Sequence, residues 1–141
     1  MTTREYLKQA YRLDHKINSD IEEVARLRAM ASSISSPILG DKVQTSRSAN
    51  APFAKSVEKI YRMEAQIDHE IDTLVDLKQQ MRDVIAAVPD TDERLVLRYR
   101  YIHNMTWEQI GIELNADART IRRWHNEAIL HVELPDVPII I

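Results

Sequence analysis

An all-α protein is what this sequence predicts, and three observations carry that expectation. Glycine occurs only twice, at Gly40 and Gly111, too rarely for the turns that a strand-and-hairpin fold needs. Strong helix formers (Ala, Leu, Glu, Lys, Arg, Gln, Met) dominate the composition. Apolar residues recur at three-and-four spacing over long stretches. The predicted architecture is a long helical hairpin or coiled coil followed by a C-terminal helix-turn-helix domain. Residues 1–88 form the coiled-coil and oligomerisation region, with a Ser-rich loop at 32–56. Residues 89–132 form the helix-turn-helix domain, and 133–141 an apolar tail.

The first helix runs from Thr3, a plausible N-cap, to about Ala31. Leu13, Ile17, Val24, Leu27, Ala31 and Ile34 make its apolar stripe. Asp20 interrupts the stripe and Ile21 beside it restores it, giving a seam for another helix. The segment from Ser32 to Ser56 is Ser-rich, holds two prolines and one glycine, and has no period, which predicts a loop. Ile38, Leu39, Val43 and Phe53 can dock parts of it.

A second helix, from about Pro52 or Ala54 to Ala87, carries a heptad-type seam. Its positions are Val57, Ile60, Glu64, Ile67, Ile71, Leu74, Lys78, Met81, Ile85 and Val88, all apolar except Glu64 and Lys78. A seam of this length predicts coiled-coil packing, on a helix roughly 50 Å long at 1.5 Å per residue. Its partner is either the first helix folded back or the same helix of a second copy. Pro89 ends it. Asp90, Thr91 or Asp92 then caps a further helix, ERLVLRYRYI.

Thr106 opens a capping box with Gln109. The helix TWEQIGIEL follows, with Trp107, Ile110 and Leu114 on one face. A glycine inside a helix costs about 1 kcal/mol against alanine, so Gly111 predicts close approach of another chain segment. Asn115 stands where the helix ends and tolerates the left-handed conformation. Asp117 stands at the N-cap of a last helix, ARTIRRWHNEAI. Ile121, Trp124 and Ala128 face inward, leaving Ala118, Arg119, Thr120, Arg122, Arg123 and Asn126 as the candidate DNA-binding residues. Arginine can bind guanine bidentately and asparagine adenine. The small Ala118 permits close approach to a groove, and arginines such as Arg98 and Arg100 can contact phosphate.

ERLVLRYRYIHNMTWEQIGIELNADARTIRRWHNEAI resembles region 4 of the sigma-70 family. In that family a helix of type E-R-x-V-L-x-x-R-Y precedes T-x-x-E-I-A-x-x-L-G-x-S-x-x-T-V-x-R. Here Gly111 stands in place of Ala, Asn115 of Gly, Asp117 of Ser and Ile121 of Val. The match covers about Asp92 to Ile129. The wider layout is similar to small phage-encoded proteins of Gram-positive bacteria that are described as sigma-like or late-gene transcriptional regulators. The resemblance implies a transcriptional regulator of phage or prophage origin that binds double-stranded DNA, with RNA polymerase as a further partner. No region 2 is present, so it is not a full sigma factor.

Charge shapes this expectation. The net charge is −3, so attraction to nucleic acid must come from a local patch. Within the last third, Glu108, Glu113, Asp117 and Glu127 offset the three arginines. One copy should bind DNA weakly, and a homodimer or higher oligomer would double the contacts. The absence of cysteine excludes disulfides and fits a reducing compartment. With no signal peptide and no apolar run of membrane-spanning length, the expected location is the cytoplasm of a bacterial host cell.

No metal or cofactor is expected. His15 and His69 lie beside Asp14, Asp68 and Glu70, a pattern more typical of a solvated surface than of a metal site. His103, His125 and His131 can touch phosphate or pack, and the sequence does not select between these. No catalytic constellation is present, so an enzyme is not expected. Two other readings remain: a small packaging (terminase) subunit that binds DNA, and an adaptor that docks on RNA polymerase without DNA. The tail PDVPIII can pack on its own domain, fill a partner's groove or add as an edge strand.

Overall fold

The computed structural model describes residues 1–38 and 46–141, with side chains for 1–32 and 53–141. Among these residues the protein is all-α. Five α-helices follow in order: α1 (Thr3–Ile38), α2 (Ser46–Ala86), α3 (Thr91–Leu97), α4 (Trp107–Leu114) and α5 (Ala118–His131). No helix is long and apolar enough to cross a membrane.

The Ser-rich segment departs from expectation. α1 continues to Ile38 and α2 begins at Ser46, so much of the anticipated 32–56 loop is helical. Serine costs only a fraction of a kcal/mol in a helix, and a helix already nucleated adds residues cheaply. Residues 39–45, including Leu39 and Val43, lie outside the described residues, as do the side chains of Ile34 and Ile38. Phe53 is partly exposed. The N-cap of α1 is Thr2, one residue before the expected Thr3. The Glu5 N–H donates to the Thr2 hydroxyl at 3.2 Å, and the Thr2 N–H donates to Glu5 Oε2 at 2.9 Å.

The chain divides into two compact units, Met1–Asp14 with Thr73–Ile141, and His15–Asp72. This division differs from a boundary at 88/89, because the first turns of α1 and the last turns of α2 share a core with the C-terminal helices. That core holds Tyr6, Leu7 and Ala10 of α1, Leu77, Met81, Val84 and Ile85 at the end of α2, Val88 just after it, Leu97, Tyr101 and Ile102, and Ala128 of α5. The tail belongs to it as well. Leu134 and Ile139 pack on this core, and two glutamines fasten the backbone. Gln9 donates to the Ile139 carbonyl (2.9 Å) and accepts from the Ile141 N–H (3.0 Å). Gln80 accepts from the Ile139 N–H (2.9 Å) and donates to the Val137 carbonyl (3.1 Å).

In the unit His15–Asp72, Ile17, Val24, Ala31 and Ile67 are buried. Lys16 reaches Glu70 at 2.6 Å, and Arg28 pairs with Glu64, so α1 and α2 run in opposite directions there. The α1 stripe stands as expected at Leu13, Ile17, Val24 and Ala31, but Ile21 does not restore it, and the α2 seam holds only in part. Ile21 is 47 % exposed, while Asp20 turns toward Lys16 (3.0 Å). Of the predicted α2 seam, Ile67, Met81, Ile85 and, just past the helix, Val88 are buried and Leu74 partly so, whereas Val57 and Ile71 are exposed and Glu70, Leu77 and Val84 take buried places beside the seam. Glu70 takes a buried place because Lys16 and Gln66 (2.9 Å) donate to its Oε1. That pairing offsets the cost of burying a carboxylate. Ile71 is left 39 % exposed.

Candidate functional site

Asp90, the first of the three residues considered, caps α3 by accepting the Glu93 N–H at 3.0 Å. The helix then widens into a π-helical turn, Arg98–Ile102, closed by the His103 N–H to the Arg98 carbonyl at 3.2 Å. The extra residue per turn places both Tyr101 and Ile102 in the interior. Asn104, with φ of 55°, turns the chain toward α4.

α4 opens with the capping box that the sequence predicts. The Gln109 N–H donates to the Thr106 hydroxyl (3.2 Å), and the Thr106 N–H donates to Gln109 Oε1 (2.8 Å). Asn115 ends the helix in the left-handed region, with φ of 56°. The Ala116 N–H donates back to the Gly111 carbonyl at 2.9 Å. Asp117 caps α5 by accepting the Thr120 N–H at 2.7 Å. The Thr120 hydroxyl and this N–H together hold its carboxyl below the usual carboxylate range, with Arg119 and Arg123 helping. The turn folds so tightly that a Cβ on Gly111 would stand 2.4 Å from the Ala116 carbonyl oxygen. Glycine here is therefore a steric requirement of the turn rather than a flexibility device.

Val96, Ile110 and Ile121 form the small core that joins α3, α4 and α5, with Trp107, Leu114 and Trp124 packed around it. The sequence-predicted residues of α5 fall on its other side. Arg119, Arg122, Arg123 and Asn126 are exposed, while Ala118 and Thr120 at its start are half-buried. Two have partners. Arg122 lies 4.0 Å from Glu108, a long and solvent-screened pair. Asn126 Oδ1 accepts from Arg4 Nη2 at 2.9 Å, a contact that ties α5 to the first turn of α1.

His125 resolves the ambiguity among the histidines of this region. It is 3 % exposed, lies 2.6 Å by Nε2 from the Tyr101 hydroxyl, and meets the Trp107 ring edge-on at 4.8 Å. Burial pushes its pKa down to about 4, reinforced by the positive charges of Arg4, Arg100 and Lys8. Burial likewise raises the Tyr101 phenol, against the opposing effect of Arg4 and Arg100. His131 instead pairs with Glu93 at 2.9 Å. Arg100, expected as a phosphate contact, stacks over the Trp107 ring at 4.2 Å and donates to the Met105 carbonyl at 3.0 Å. Among the described residues, no group of three or more His, Asp or Glu is placed to hold a metal ion.

The sequence model of one protein family, described as "Protein of unknown function (DUF722)", matches residues 8–133. That span is most of the chain, and the chain belongs to this family. No curated protein and no solved structure matches it.

Proposed function

We propose that this member of the DUF722 family is a sequence-specific DNA-binding protein whose α4–turn–α5 unit works as a helix-turn-helix. The observation that carries the reading is the turn. Gly111, left-handed Asn115 and the Asp117 cap bring α5 against α4 while Arg119, Arg122, Arg123 and Asn126 stay in solvent. In such a unit the second helix enters the major groove with its early residues at base edges. Ala118 and Thr120 would lie closest to the bases, with the arginines divided between bases and phosphates. The resemblance to sigma region 4 points in the same direction and suggests a transcriptional regulator from a phage or prophage, working in the bacterial cytoplasm.

Assembly into a homodimer or higher oligomer is part of this reading. In the unit His15–Asp72, Ile21, Met30, Val57, Tyr61 and Ile71 are between 39 % and 75 % exposed. Of these, Val57, Tyr61 and Ile71 fall on one side of α2 by their spacing, an apolar row that we read as an interaction surface. A second copy would supply a second reading helix for a second half-site.

The test is a fluorescence anisotropy titration of duplex DNA with the full chain and with Arg122→Ala/Arg123→Ala. The wild type should bind with affinity falling steeply as salt rises, and the double variant should lose most of that affinity. Equal binding by both would remove α5 from the role of reading helix. A chain that captures RNA polymerase but no duplex would favour the adaptor reading. A closed ring in mass measurements would favour the packaging reading.

A further inference from the structure

A cleft of about 490 Å³ opens beside α5, lined by residues that include Arg4, Lys8, Arg12, Arg100, Trp107 and His125. Four of its lining side chains are cationic and none is a carboxylate, in a chain whose net charge is −3. Arg4, Lys8 and Arg12 succeed one another at four-residue spacing, so they share one face of α1, about 6 Å apart along its axis. Like charges at that spacing weaken a helix. Lys8 and Arg12 are exposed, and among the described residues neither makes a hydrogen bond or ion pair. Arg4 bonds Asn126, but the fold gains nothing from Lys8 and Arg12, which suits them to an external anion. Arg100, also on the lining, is held by its stack on Trp107 and its bond to the Met105 carbonyl.

The place of the cleft indicates which anion. The 2.9 Å bond from Arg4 to Asn126 makes the row continuous with the exposed face of α5. Resting on the reading of α5 given above, we propose that Arg4, Lys8, Arg12 and Arg100 form a phosphate-binding surface that takes the backbone of the duplex whose groove α5 enters. From Arg4 to Arg12 the row covers about 12 Å of helix axis. One DNA strand presents a phosphate about every 3.4 Å of duplex axis, so the row can meet several in succession. Such contacts fix the register of the protein on the duplex and carry no sequence information. The same positive charges bear on His125 at the cleft's inner wall and help to keep its ring neutral.

The experiment uses the full chain and a mixed-sequence duplex, because phosphate contacts do not depend on sequence. Anisotropy titrations over a series of salt concentrations give the slope of log affinity against log salt. Lys8→Ala/Arg12→Ala should weaken binding to every duplex and lower the magnitude of that slope by about 2. The charge-preserving Lys8→Arg/Arg12→Lys should keep the wild-type slope. The far-UV circular dichroism should keep its helical form and the melting temperature should not fall in either, since both positions are exposed. If Lys8→Ala/Arg12→Ala keeps the wild-type slope and affinity while Arg122→Ala/Arg123→Ala loses binding, the cleft proposal is overturned and the reading of α5 stands. A wild-type chain that binds no duplex even at low salt overturns both.

Discussion

His125 should make this protein less stable in acid. Its imidazole is 3 % exposed and its pKa is held at about 4, against about 6.5 for an unperturbed histidine. Above pH 6.5 the ring is neutral in both the folded and unfolded chain, and it places no proton-linked burden on folding. As pH falls below 6.5 the unfolded chain takes up a proton that the folded chain does not, so stability declines. The decline continues until the folded pKa is passed. Between pH 7.5 and 5.0 the loss from this residue is about 2 kcal/mol, a large share of the ~5–15 kcal/mol that holds a typical domain together. Urea unfolding followed by circular dichroism at the two pH values measures it, with His125→Gln as the reference. Glutamine removes the titration but keeps an acceptor for the Tyr101 hydroxyl, and the other four histidines are common to both chains. The wild type should lose about 2 kcal/mol more than the variant. Equal losses, or an NMR titration of the His125 ring centred near pH 6.5, would show that burial does not keep this ring neutral.

Two further changes probe the packing. Gly111→Ala gains about 1 kcal/mol in helix propensity but drives a methyl group to within 2.4 Å of the Ala116 carbonyl, and overpacking of this kind costs about 1–3 kcal/mol. A net fall in melting temperature is expected, and an unchanged or higher one would mean that the turn yields freely. Leu77 is fully buried whereas Lys78 beside it is only half-buried, so Leu77→Ala should cost about 2–5 kcal/mol and Lys78→Ala less than about 1 kcal/mol in urea unfolding. The reverse order would show that α2 turns its other flank inward.

What the sequence made legible was local. The capping box at Thr106, the left-handed Asn115 and the Asp117 cap are each set by residues within a few positions of one another, and all three are found in place. Element boundaries set by composition were less secure, since serine marks a loop only weakly and α1 and α2 run on through it. Choices set by partners far along the chain were not legible. Hydrophobicity favours Ile71 over Glu70 as an inward residue, yet Lys16, 54 positions away, makes Glu70 the buried one. The same holds for Tyr6, Leu7 and Ala10, whose place in a core with α5 no local pattern announces. His125 gave no signal of its own either, because its partner Tyr101 lies 24 positions back. A faint clue was available in its spacing, four residues after the buried Ile121.

The position of α1 also alters the argument about charge. Judged from the last third alone, three arginines offset by nearby carboxylates leave one copy short of affinity, and assembly looks obligatory for binding. Glu108, 4.0 Å from Arg122, is one such offset. With the first turns of α1 beside α5, a single copy presents Arg4, Lys8, Arg12 and Arg100 next to Arg119, Arg122 and Arg123. If all seven met phosphates, one copy would give a salt slope of at most about 6 in magnitude. On the proposed DNA-binding reading, assembly would then serve specificity, by pairing half-sites, as much as affinity. The slope separates the two contributions. A value beyond that single-copy ceiling requires a second copy on the DNA, whereas tight binding below it requires only the cations of one.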